Sequence, residues 1–315
     1  MKHFLYIAAL ALSFIVLSSA VDAQTVLKFN AGGRDKEQQE DDESIDEPTD
    51  NDEVKGLSFG LNLGSYFGSS GSANIYNGSG PFEGYINEAS QVRWFSVEER
   101  LGSTSYFIND IQAINTYYGS SSYTFPYDSY PLNMKYNPSI MVGLQIKYHF
   151  NRFAAMVFNL NAMKLKAAGQ FTMQFQGTPV QLNQQRDVRL MSIAGEEQRF
   201  NINLGYRQGW MMGDASNFYL QMGGSLLGTK WTNNYVLVAE RQYDLVTNTP
   251  VFGGTAVTVQ PKAGIGVGAF FGTGVEFFVG NKSFDLSFNL YRDKVVIQTF
   301  EKFLWNKSVQ FTFSL

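Results

Sequence analysis

The sequence predicts an all-β fold, a membrane-spanning antiparallel up-and-down β-barrel, and three observations carry that prediction. Apolar residues alternate strictly with small or polar ones in run after run from Gly56 to the end of the chain, the period-2 pattern of strands with one apolar face. The connections between these runs are short and long by turns, as in barrels with tight turns on one side of a membrane and long loops on the other. The chain opens with an export signal, and no later stretch reaches the roughly 18 consecutive apolar residues of a membrane helix. A mean hydropathy of -0.17 agrees with this, because every second residue of a barrel strand is polar.

Taken in order, Lys2 precedes an apolar run from Phe4 to Val16, and Val21, Asp22 and Ala23 form a small-residue cleavage pattern before Gln24. Residues 1–23 are therefore expected to be a signal peptide. No Cys occurs in the chain, so neither a lipid-bearing Cys nor a disulfide framework is expected. Between Asp35 and Glu53 stand eleven acidic residues and one base, Lys36. Such a segment repels itself and has little to bury, which makes residues 24–55 an acidic disordered periplasmic tether. Residues 56–315 hold 19 Lys and Arg against 16 Asp and Glu. The overall acidity thus belongs to the tether and not to the folded part.

Eight alternating runs follow. Leu57, Phe59, Leu61 and Leu63 share one face of the first, and Ile140, Val142, Leu144, Ile146 and Tyr148 one face of the second. The third, from Phe153 to about Lys166, sets Met156, Phe158, Leu160 and Ala162 against Asn159 and Asn161. In the fourth, Phe200, Ile202, Leu204 and Tyr206 oppose Asn201, Asn203 and Arg207; in the fifth, Phe218, Leu220 and Met222 oppose Gln221. The sixth runs from Gly264 to Phe277 with a glycine-rich second face, the seventh sets Phe284 to Leu290 against Asp285, Ser287 and Asn289, and the eighth ends the chain. A further hairpin inside the first long connection would make ten strands. The links Asn151–Arg152, Gly213–Ser216 and Gly280–Lys282 are tight turns. The others are long: about 70, 30 and 30 residues and about a dozen, counted between runs of this period.

A soluble barrel also alternates, with its apolar face inward. Here Gly, Ser and Asn on the polar face suit a cramped lumen, and aromatic residues gather at run ends (Tyr66, Phe67, Tyr148, Phe150, Tyr206, Trp210, Tyr291), so the apolar face is assigned to lipid. With these residues in view, residues 57–67 and 139–315 resemble the small Gram-negative outer-membrane β-barrels of the OmpA/OmpX type. The final run, Val309, Gln310, Phe311, Thr312, Phe313, Ser314 and Leu315, resembles the C-terminal insertion signal of such barrels, with Leu where Phe is usual. The Gly- and Asn-rich strands are similar in style to barrels of the Bacteroidota. That resemblance implies the cell outer membrane, contact with its lipid, and both termini in the periplasm.

An eight-stranded barrel is about wide enough for its own side chains. Lys147, Arg207, Glu276 and Asp285 fall on the lumen face with opposite signs, so a salt-bridge network joined by Gln145 and Gln221 is expected there. The first long connection, Gly68 to Asn137, is rich in Tyr and Trp among Gly and Ser, the composition of recognition surfaces. Trp94, Phe95, Tyr106, Tyr117, Tyr118 and Tyr127 within it are candidate partner-binding residues, unless they pack on one another as a lid. Phe107, Ile111, Ile114 and Tyr118 recur at helical spacing.

Catalysis finds little support. His3 leaves with the signal peptide, and His149 lies beside the periplasmic turn, where no long loop could complete a triad. The pairs Glu98–Glu99 and Glu196–Glu197 read as solvated loop charges, and no metal, cofactor or nucleic-acid signature is present. The reading is a non-enzymatic outer-membrane barrel serving as a partner-binding or structural accessory subunit of an envelope or secretion assembly, bound to other envelope proteins through loop 68–137 or the acidic tether. Its competitor is a narrow pore for small solutes.

Overall fold

The structure, a computed structural model, describes residues 56–80, 93–102, 108–126, 128–177, 187–213, 215–247, 263–279, 282–297 and 300–314. The expected signal peptide and tether lie outside the described residues. The ring strands are β1 (Gly56–Phe67), β2 (Ser139–His149), β3 (Ala154–Gln176), β4 (Asp187–Gly213), β5 (Ser216–Val238), β6 (Ala263–Val279), β7 (Lys282–Ile297) and β8 (Phe300–Ser314). Each is antiparallel to the next, and β8 pairs with β1 to close the sheet on itself. The N-terminal end of β1, the C-terminal end of β8 and the three tight turns read from the sequence share one end of the barrel, the turn end; at the opposite end Ile297 pairs with Phe300, so the last link has two residues where about a dozen were expected.

The register is staggered. A walk along paired residues starts at Phe153, just before β3, passes Gly209, Tyr219, Gly274, Ser287, Gln310, Gly64 and Met141, and reaches β3 at Met163, ten residues further on. A stagger of this kind goes with strands tilted by roughly 35–45° to the barrel axis.

The outer face of the turn-end half is apolar: Leu57, Leu63, Ile140, Val142, Leu204, Met222, Ile265, Val267, Leu286 and Phe311 are all exposed. Aromatic rings edge this belt, with Phe150 against Tyr148 and Trp210 over Phe218, whereas Tyr66 and Tyr291, expected among the run-end aromatics facing lipid, are buried in the interior. Facing inward over the same height are Asn62, Gln145, Asn159, Asn203, Gln221, Asn289 and Gln310, each nearly fully buried. Apolar outside and polar inside is the reverse of a water-soluble barrel and suits a lipid surround.

The strands are much longer than the alternating runs indicate. β3, β4 and β5 have 23, 27 and 23 residues, so most of the first connection read as a loop of about 30 residues, and the leading part of the second, is wall. The alternation continues, but its polarity changes sides. On β3 the outward Phe158, Leu160 and Ala162 give way to Lys164, Lys166 and Gln170, while the inward Asn159 and Asn161 give way to Leu165, Ala167, Phe171 and Met173. β4 makes the same exchange, from outward Leu204, Ile202 and Phe200 to Gln198, Glu196 and Ser192. On β5 the pairing slips at Thr232: Glu197 faces Trp231 and Glu196 faces Asn233. Past that bulge the even-numbered Val236 and Val238 are the buried ones. Above the belt the wall meets water, and its apolar residues turn inward.

The first long connection fills this upper barrel. It carries helices α1 (Ser70–Ala73), α2 (Val97–Leu101) and α3 (Ile108–Tyr118), the last on the predicted spacing. Ser96 and Glu99 cap α2 reciprocally. Ala73, Tyr76, Val97, Leu101, Ile114 and Met134 are buried in one cluster with Phe171, Met173, Ile193 and Val236 of the wall. Lys135–Tyr136 and Ser122–Thr124 pair with β3 and extend the sheet where β2 ends. Gly195 on β4 receives the Tyr76 ring so closely that a Cβ there would lie 2.1 Å from ring carbon.

The belt boundary is testable by moving one charge. Leu204→Arg, inside the belt, is expected to cost roughly 2–4 kcal/mol in urea titrations of folding into lipid vesicles. The same change at Leu190, on the outer wall of the upper barrel and its packed connection, the head, should stay within about 0.5 kcal/mol. Equal costs would refute a belt that ends near Lys164 and Gln198.

Candidate functional site: the braced lumen and the loop head

Strand alternation drives polar side chains from every quarter of the ring into one narrow interior, where they stack in tiers. Nearest the turn end, Lys147 of β2 donates from Nζ to Glu276 of β6 (2.7 Å) and to Asp285 of β7 (3.1 Å). β2 and β6 stand opposite each other in the ring, so the first of these bonds crosses its full width. Arg207 of β4 lies 2.9 Å from Asp285 and 3.7 Å from Glu276, and its guanidinium carbon sits 3.7 Å from the centre of the Tyr219 ring. Gln221 accepts from Arg207 and donates to Asn289 at 2.7 Å. Five of the six lumen residues singled out in the sequence therefore converge here. The sixth, Gln145, donates instead to Asn159 at 2.9 Å and belongs to the tier above.

That tier is built of amides and hydroxyls. Asn62 donates to Asn159 (3.3 Å) and Asn161 (3.1 Å), and Thr312 donates to Asn62 (2.8 Å). Above it Tyr66, Met141, Met163, Leu165, Phe270 and Tyr291 form an apolar and aromatic layer. His149, half-buried, stands 3.2 Å from the Ser58 hydroxyl at the turn end.

A second charged brace caps this layer. Arg199 meets Glu197 at 2.5 Å, both fully buried, and reaches Tyr66 (3.3 Å), Asn306 (3.2 Å) and Ser72 (2.9 Å). Tyr76 donates to the other oxygen of Glu197 at 2.7 Å. Burial first, then the charge of Glu197, pushes the Tyr76 phenol well above its ordinary range, so it remains a donor. Ser72 and Tyr76 belong to the first connection, and this brace ties it to the wall. The reading of Glu197 as a solvated loop charge is thus corrected: β4 continues through it and turns it inward. A signal was present, since Glu197 and Arg199 share the odd-numbered face of Asn201, Asn203 and Arg207. Only Glu196 points out, 2.7 Å from Lys164, an exposed pair of little energetic weight.

The aromatic residues of the first connection divide. Phe95 is only 5% exposed, which fits the alternative of packing within the connection rather than a place on a partner surface. Tyr118 is half-buried, its ring 4.4 Å from that of Phe175 and 4.7 Å from the Arg189 guanidinium. Tyr117 is exposed. The backbone of Trp94 pairs with Val246 in a two-residue ladder, and Tyr106 and Tyr127 lie outside the described residues. Sequence pattern had missed the exposed apolar side chains on the outer wall of the head: Val188, Leu190 and Leu237.

Breaking the lower brace tests its weight. Lys147→Met leaves two buried carboxylates to share one cation, Arg207, and is expected to cost about 3–5 kcal/mol, read as an earlier transition from compact to extended band on heating before electrophoresis. Arg207→Ala should act in the same direction. Unchanged heat resistance in both variants would count against a structural role.

No protein-family model matches the chain, and no curated protein matches it. Similar solved structures include the attachment invasion locus protein Ail of Yersinia pestis. In complex with the heparin analogue sucrose octasulfate it is 9% identical with a TM-score of 0.31, over 82% of this chain and 94% of Ail. Ail alone gives 7% identity and 0.30 over the same shares. Ail in a phospholipid bilayer nanodisc gives 9% and 0.27, over 82% of this chain and 100% of Ail. The fold of the present chain stands on its own strand pairing.

Proposed function

We propose that the chain is an integral outer-membrane barrel that is sealed rather than conducting, has both termini in the periplasm, and serves without catalysis as an anchoring subunit presenting a rigid head to another envelope protein. The observation that carries this reading is the pair of buried ion-pair braces. Side chains from opposite strands meet in the lumen at Lys147–Glu276 and around Arg199, so passage of a solute requires breaking buried charge pairs. The head supports the rest: its wall continues above the apolar belt, its inside is packed, and Tyr117, Val188, Leu190 and Leu237 leave apolar surface outside. Scattered apolar residues are ordinary; here three of them sit on the outer faces of the adjoining strands β4 and β5, which suits a contact surface.

Because the first connection completes the head core, its deletion would unfold the head and could not report on binding. The test is surface substitution: native-detergent pull-down of the tagged protein beside a Val188→Lys, Leu190→Lys variant that keeps its heat-modifiable band. A defined envelope protein recovered with the first and lost with the second supports the reading. In planar bilayers no stepwise conductance is expected. Steady open-channel steps would instead establish the narrow pore.

A further inference from the structure

The upper rim of the apolar belt differs from one side of the barrel to the other. On β3 the first outward cation above the belt, Lys164, is paired with Glu196 at 2.7 Å. Across the outer faces of β6, β7, β8 and β1, alternation places a single acid among the described residues, Glu301, and Lys294 holds it. Two exposed cations remain on this side, Arg292 of β7 and Lys307 of β8. Neither is in an ion pair or a side-chain hydrogen bond among the described residues.

The register brings these two together. Arg292 faces Trp305 directly, and Lys307 is the next outward residue of β8, across from Leu290 and Phe67. Diagonal neighbours of this kind set their Cβ atoms roughly 7–8 Å apart, within reach of long side chains. The Arg292 guanidinium carbon lies 5.3 Å from the centre of the Trp305 ring, itself 55% exposed. Stacking steadies a guanidinium and leaves its N–H edges available. Outward Phe288 and Leu290 lead up β7 to Arg292, and outward Phe311 and Val309 lead up β8 to Lys307. The pair therefore stands at the rim opposite the turn end, where the apolar surface stops.

We propose that Arg292 and Lys307, with Trp305 as their platform, bind the phosphomonoester headgroup of one lipid in the leaflet at the loop end. This rests on the barrel reading above, which sets the rim among lipid headgroups. A phosphomonoester carries about −1.5 to −2 charges near neutral pH, which answers two cations, whereas the single charge of a phosphodiester leaves one over. The planar fork of Arg takes two phosphate oxygens, and a lysine at the edge of an apolar belt extends its ammonium toward the headgroups. Lys307 adjoins Leu290, Phe67 and Val309, so an anion from the lipid offsets the cost of its charge beside acyl chains.

The experiment folds the full chain into phosphatidylcholine nanodiscs doped with equal shares of phosphatidic acid, a phosphomonoester, and phosphatidylglycerol, a phosphodiester. Native mass spectrometry then identifies the lipid that stays on the released protein. One phosphatidic acid is expected, in preference to both other lipids. Arg292→Gln and Lys307→Gln should each lower its retention roughly fivefold, and Lys230→Gln, at an exposed cation on β5, should leave it unchanged. All three alter exposed side chains, and each variant is checked for its heat-modifiable band. Equal retention of the three lipids, or of the two anionic ones, would overturn the site. A loss as large in Lys230→Gln would overturn it too, by reducing the preference to general surface charge, and displacement of the lipid by inorganic phosphate at equal ionic strength would assign the cations to a free anion instead. A chain that never gives a compact band sinks the barrel reading and the site with it; a folded barrel without lipid preference sinks the site alone.

Discussion

One constraint organises the molecule: a single closed sheet passes from one surround to another while its side chains keep alternating in and out. Over the belt the outer face meets lipid, so the apolar set points out and the polar set must be satisfied inside. Above the belt the outer face meets water and the sets change places. On β3 the exchange falls between Ala162 and Leu165, within two positions of alternation. The lumen contents follow from it. Below the exchange, polar residues have only one another for partners, which is why they form tiers; above it, apolar residues would enclose a void, and the first connection fills it.

The two interiors differ in what they demand. An apolar core tolerates many packings of similar volume. A buried polar interior does not, because each unpaired group carries the full cost of leaving water. Lys147, Arg207, Glu276 and Asp285 illustrate the second case: two cations and two carboxylates from four strands, each engaged with at least one opposite charge. Such a set adds little net stability over a hydrophobic filling but strongly penalises any register that separates its members. With a stagger fixed over ten residues, a slip of one strand by two positions would keep every face correct and still break the brace.

What the sequence shows and conceals follows from the same constraint. Wherever lipid lies outside, large apolar residues alternate with small polar ones, and all eight ring strands are recognisable, as are the tight turns and five members of the lower brace. Beyond Lys166 and ahead of Phe200 the alternation persists with the polar set outward, and a reading tuned to apolar faces against lipid takes wall for loop. The bulge at Thr232 hides the end of β5 by changing which parity is buried. For Phe95 the sequence leaves a binding surface and a packed connection equally open, because the two share one composition; its burial favours packing. Glu197 was visible in parity with Arg199 but not in charge pattern, where it reads as half of an acidic pair.

The upper brace ties the first connection to the barrel wall. Arg199 is fully buried, and its guanidinium is held by β4 through Glu197, by β1 through Tyr66, by β8 through Asn306 and by the first connection through Ser72. Withdrawal of the connection would remove Ser72 from Arg199 and Tyr76 from Glu197 together, opening an apolar cavity above and leaving hydrogen-bonding groups unpaired below. Each loss alone is costly, and they fall at one place. The connection is therefore not a lid that swings on the barrel mouth. It is the upper half of the core, contributed by the longest link in the chain, and the barrel wall rises beyond the belt in order to enclose it.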